Sequence, residues 1–130
     1  MSIALTVDNT YDGPRRAVIQ ASAMAVDDAA PDNLTLEVLV DVSAMTPPAE
    51  AVRVTSITGQ VSYGVVEVYW DALPPVRFAV LSGDAIKYDY LDTGPLRAPA
   101  GSTGDILIST VGFAPTSTFM LELGLLKRVL

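Results

Sequence analysis

Between residues 105 and 126 the apolar side chains recur at every second position, and only extended chain accommodates that rhythm. Ile106 and Ile108 fall on one side, with Leu107, Ser109 and Val111 on the other. Further on, Phe119, Leu121, Leu123 and Leu125 share a side opposite Met120, Glu122, Gly124 and Leu126. A period of two is the mark of a β-strand with distinct faces, whereas a helix would need a period of 3.6. Residues 112–117 (GFAPTS) form a loop long enough to reverse the chain, so the two strands are expected to pair as a closing hairpin.

The rest of the chain reads the same way. Ile3, Leu5 and Val7 alternate, and the stretch 9–14 (NTYDGP) ends that run with turn formers. Ala17, Ile19, Ala21 and Ala23 alternate next; a helix over the same residues would have a poor apolar face. Leu34, Leu36, Val38 and Val40 are expected to point inward. Pro47 and Pro48 break the chain because neither can donate to a ladder. Val52 and Val54 resume it, Gly59-Gln60 reads as a turn or bulge, and Val66, Val68 and Trp70 lie opposite Val65, Glu67 and Tyr69. Two more short strands, 76–81 and 86–91, are separated by a turn at Ser82-Gly83-Asp84. Strands at this spacing, with no convincing helical period, predict an all-β fold. The specific expectation is one domain over residues 1–130, an antiparallel β-sandwich, jelly-roll-like, of about eight short strands.

Composition narrows the chemistry. The chain has no cysteine and no histidine. It therefore contains no disulfide, thiol nucleophile or Ser-His-Asp triad, and lacks the commonest general base and metal ligand. No cofactor is expected, and no enzymatic activity. With 15 acidic against 8 basic residues, the net charge is −7. The basic residues are scattered in sequence, adjacent only at Arg15-Arg16 and Lys127-Arg128. A nucleic-acid partner is not expected, because such a surface on average repels phosphate. No apolar run reaches the roughly 18 residues a membrane span needs, and the first residues have no signal-peptide pattern, so synthesis in the cytoplasm without a membrane partner is expected. Charged residues are 18% of the chain at a mean hydropathy of +0.39. That is lean beside the roughly 25% of ordinary soluble domains; one reading is that partners cover part of the surface, the other that a composition rich in alanine and valine inflates the hydropathy.

Candidate sites are sparse. Asp27, Asp28, Asp32 and Asn33 could offer oxygen ligands to calcium, and Asp84, Asp89 and Asp92 form a second loose group, but neither has an EF-hand spacing and solvated loops are the expectation. Trp70, Tyr69, Tyr88 and Tyr90 could make a sugar-binding platform, although in strands such residues are more often core. The last residues, Leu125, Leu126, Lys127, Arg128, Val129 and Leu130, stay apolar almost to the end. They are the candidate partner interface, either as the end of a last strand or as an arm, residues 127–130, docked on a neighbouring subunit.

Three pieces of the second half carry a resemblance. They are Val66-Glu67-Val68-Tyr69-Trp70-Asp71-Ala72; Leu81-Ser82-Gly83-Asp84 followed by Tyr88-Asp89-Tyr90; and Thr93-Gly94-Pro95-Leu96 with the strands over 104–112 and 118–123. Together they resemble small virion structural proteins of tailed bacteriophages, most of all head decoration (cement) proteins. The sequence departs from that pattern at Ala98, where an asparagine usually precedes the proline, and at Ala114-Pro115, where a glycine-containing turn is usual. The resemblance implies a non-enzymatic protein on the capsid surface of the virion. It would bind the assembled major capsid protein, bridge neighbouring subunits, and act as a homo-oligomer, a trimer by preference. The alternative is a carbohydrate- or receptor-binding β-module of a phage tail or fibre.

Overall fold

The computed structural model of the chain describes residues 5–24, 34–90, 93–113 and 117–129. Among the described residues eight strands are formed: β1 (Thr6–Asp12), β2 (Arg16–Met24), β3 (Glu37–Val40), β4 (Ala49–Trp70), β5 (Val76–Asp89), β6 (Leu96–Arg97), β7 (Ile106–Val111) and β8 (Thr118–Val129). A three-residue 3-10 turn, Val42–Ala44, is the sole helical element among the described residues. Asp41 caps it through a side-chain oxygen that accepts from the Ser43 N–H. The all-β expectation is met.

All strand pairs are antiparallel and belong to one curled sheet, in the order β1-β2-β8-β4-β7-β3. The 22-residue β4 is its spine. Along one edge β4 pairs first with β8, from Ala49↔Val129 to Val61↔Phe119, and then with β7, from Val65↔Val111 to Trp70↔Ile106. Its other edge takes β6 at Arg53 and Val54, and β5 from Ser56↔Asp89 to Trp70↔Val76. Between Val61↔Gly83 and Val66↔Leu81, β4 holds three more residues than β5. This bulge, with glycines of positive φ at Gly64 (+88°) and Gly83 (+84°), lets both strands bend without breaking.

Several sequence expectations are corrected here. The strands are not uniformly short: Ser82-Gly83-Asp84 continues β5 rather than ending it, and Gly59-Gln60, read as a turn or bulge, is a bulge within β4, where the register against β5 shifts between Gly59 and Val61. Glycine at these positions supplies a bend, and the ladder persists on both sides of it. The closing hairpin does not form. β7 and β8 run the same way, one after the other, along the same edge of β4, and no pairing joins them. In β3 and the residues leading into it, Leu36 and Val38 are exposed, whereas Leu34, Leu39 and Val40 are buried. A positive φ at Leu36 and a register shift between Val38 and Val40 reset the alternation there. The described strands belong to one continuous sheet.

One face of this sheet encloses the core. Ala17, Ile19 and Ala21 of β2 meet Phe119, Leu121, Leu123 and Leu125 of β8 and Val52, Val54 and Ile57 of β4. Beyond the bend, Val66, Val68 and Trp70 join Ala79, Leu81, Ile106 and Ile108 in the same cluster. Phe113 and Phe119 meet edge to face at 6.0 Å where the chain passes between the two parts. Alternation thus specified which residues go in for β2, β8 and the second half of β4, and β2 is a strand as its pattern predicts.

Candidate binding face

β8 lies between β2 and β4, paired along its whole length, and its side chains divide by parity. The inward set includes Leu125, at 2% exposure, and Lys127. The Lys127 ammonium is fully enclosed and donates to Asp12 Oδ1 at 2.6 Å. The second oxygen of Asp12 accepts from the Thr46 N–H at 2.7 Å. This charged pair therefore ties β1, β8 and the loop before β4 at one end of the core.

The outward set includes Leu126 and Arg128, and the register sets arginines around them. Arg16 of β2 stands opposite Leu126, Leu126 opposite Arg53 of β4, and Arg53 opposite Arg97 of β6. These four positions form one row across four strands on the solvent face. Arg128 lies opposite Ala51, two pairs along and on the same face. Arg15 is held nearby because its carbonyl accepts from the Lys127 N–H at 2.7 Å. Arg15, Arg53, Arg97 and Arg128 line an open depression of about 790 Å³ with Leu126 and Ala98 in its floor. Five of the chain's eight basic side chains thus share one place, on a protein of net charge −7.

The charges of this face are nearly uncompensated. Arg128 meets Glu50 at 3.4 Å, with both side chains exposed. Among the described residues, Arg15, Arg16, Arg53 and Arg97 make no ion pair. Two like charges directly opposite each other on adjacent strands, as at Arg53 and Arg97, repel and weaken the sheet.

The other sequence candidates are not brought together. Trp70 is buried and stacked on Phe78 at 4.6 Å, while Tyr69 points outward and donates to Glu67 Oε1 at 3.0 Å. Tyr88 is exposed and Tyr90 packs on the core at the far end of β5, so the four rings make no common platform. Asp27, Asp28, Asp32, Asn33, Asp92 and Leu130 lie outside the described residues. Among the described residues no group of three acidic side chains is arranged to hold a metal, and no helix is long and apolar enough to cross a membrane. The candidate interface itself splits. Leu126 and Arg128 face solvent, Leu125 and Lys127 face the core, and Val129 pairs with Ala49. Residues 127–129 continue β8, paired with β4 as far as Ala49↔Val129.

A second depression, of about 400 Å³, lies further along the same outer face. It is lined by Asp8, Gln20, Thr58, Met120 and Glu122, with a Gln20 Nε2–Glu122 Oε2 hydrogen bond of 3.0 Å across it.

Sequence reasoning missed Arg16, Arg53 and Arg97 as partners. Each occupies a solvent-side position, but they are separated by 37 and 44 residues and nothing local links them. Compared with known protein families and with curated proteins, the sequence matches none.

Proposed function

We propose that this chain is a non-enzymatic structural protein of a tailed-phage virion that binds the assembled capsid and bridges neighbouring major capsid subunits. The observation that supports a docking role is the arginine-lined face around Leu126, kept at the cost of like-charge repulsion on a protein that is otherwise acidic. The resemblance of the strands over 66–72, 104–112 and 118–123 to decoration proteins supports the choice of partner. A protein that binds only the assembled shell stabilises it by mass action, by about 2.7 kcal/mol per site at 100 times the dissociation constant. The homotrimer that the resemblance implies belongs to the same proposal, since several such faces on one oligomer would add avidity.

The test is cosedimentation of the purified protein with mature shells of the phage that encodes it, alongside sedimentation equilibrium of the free protein. Saturable binding to shells, with a raised shell melting temperature, is the expected result. Absence of binding to shells would overturn the proposal.

A further inference from the structure

We infer that the face around Leu126 docks an acidic protein segment, with carboxylates held by Arg15, Arg53, Arg97 and Arg128 and an apolar side chain seated on Leu126. The inference deepens the capsid-binding reading and rests on it for the source of the segment, a subunit of the shell.

The chemistry of the face selects this occupant. Every charged group lining the open depression is an arginine, apart from Lys127, whose ammonium is turned into the core. Guanidinium groups grip carboxylates through two parallel N–H···O bonds, and they shed water more readily than ammonium does. Strand spacing of about 4.8 Å puts the backbones of Arg16 and Arg97 about 14 Å apart, so four or five residues of extended chain would cross the row. Such a chain has side chains alternating in direction, which suits carboxylates on the arginines and an apolar group on Leu126. The opposed pair Arg53 and Arg97 is repulsive when the face is empty, and a carboxylate between the two relieves it.

Other occupants fit less well. Among the described residues no aromatic ring lines the depression to stack on a base, and the net charge of −7 repels a phosphate backbone over longer range. Two copies meeting about a twofold axis would set arginines against arginines.

Fluorescence anisotropy with a labelled synthetic peptide of sequence EELEEEELEE tests this at low ionic strength. Comparators are the same peptide with Gln for Glu and a ten-nucleotide oligothymidine. The acidic peptide is expected to bind at least ~10-fold more tightly than either comparator, which corresponds to ~1.4 kcal/mol. The double variant R53E/R97E is expected to lose at least ~10-fold and L126S about 3-fold, since opposed charge and lost apolar contact act on the same seat. R53Q/R97Q, which removes charge without adding any, serves as a second variant, and circular dichroism checks that each remains β-folded. Failure of the peptide to bind, affinity unchanged in R53Q/R97Q, or equal or tighter binding of oligothymidine would each overturn the inference. So would self-association of the wild type that R53E/R97E abolishes, because the occupant would then be a second copy. In the cosedimentation assay, R53E/R97E that still binds shells overturns this inference alone. Peptide binding without shell binding overturns the capsid reading alone.

Discussion

Gly64 is the residue on which the bend of the spine depends. Its φ is +88°, and a Cβ placed there would sit 2.7 Å from Phe113 Cδ1 and 2.8 Å from the Val111 carbonyl oxygen. Gly64→Ala is therefore expected to cost about 2 kcal/mol or more through backbone strain and overlap combined, read as a lower urea midpoint at unchanged slope. At the other end of the core, Asp12 is the only side chain that Lys127 meets in an ion pair among the described residues. Asp12→Ala would leave a buried ammonium unpaired and is expected to cost about 3–5 kcal/mol, again by urea denaturation. Asp105 works in the opposite direction. Burial pushes its carboxyl above the ordinary value of 3.8, the Val42 N–H opposes that rise, and nearby Asp41 and Asp71 add to it. A raised value means the folded state holds this proton more tightly than the unfolded state does. Stability from this group is thus present at low pH and lost as pH climbs through the raised value. Asp105→Asn keeps an oxygen for Val42 and is expected to be more stable than wild type at neutral pH. The difference should vanish on acidification toward the ordinary carboxylate range, as thermal melts across pH would record.

Among the elements, β8 carries most of the consequences. Its pairing with β2 runs without a register shift from Arg16↔Leu126 to Met24↔Thr118, and its other edge is filled by β4. Deleting residues 127–130 is expected to lower stability by about 3 kcal/mol or more, chiefly by removing the ammonium that neutralises Asp12. Thermal denaturation checks this, and an undiminished melting temperature would mean that the end of β8 contributes nothing to the sheet. Alternation made β8 plain in the sequence because its two faces meet different surroundings. It could not reveal that β8 and β7 line up along one strand instead of pairing, since strand period says which side chains share a face and nothing about whose backbone lies alongside. For the same reason β4 and β5 read as two strands each: a glycine that bends a strand looks like one that ends it.

At the scale of the whole molecule, charge is distributed against the stability of the isolated sheet. Arg97→Ser should remove the repulsion at Arg53 and raise the stability of the free protein by about 0.5 kcal/mol, measured by urea denaturation, while weakening docking. A change that improves folding and impairs binding is the signature of residues retained for a partner.

The all-β class, most of the inward residues, and the lack of histidine and cysteine chemistry were determined by the sequence alone, because composition and a period of two are local properties of the chain. The arginine face was decided only by tertiary structure. Arg16, Arg53 and Arg97 become neighbours through hydrogen bonds between strands far apart in sequence, with Leu126 among them. The same pairing turned Lys127 inward and Arg128 outward, dividing an apparent basic pair into a core ion pair and a surface charge. Register sets such neighbours, and register is a property of the assembled sheet.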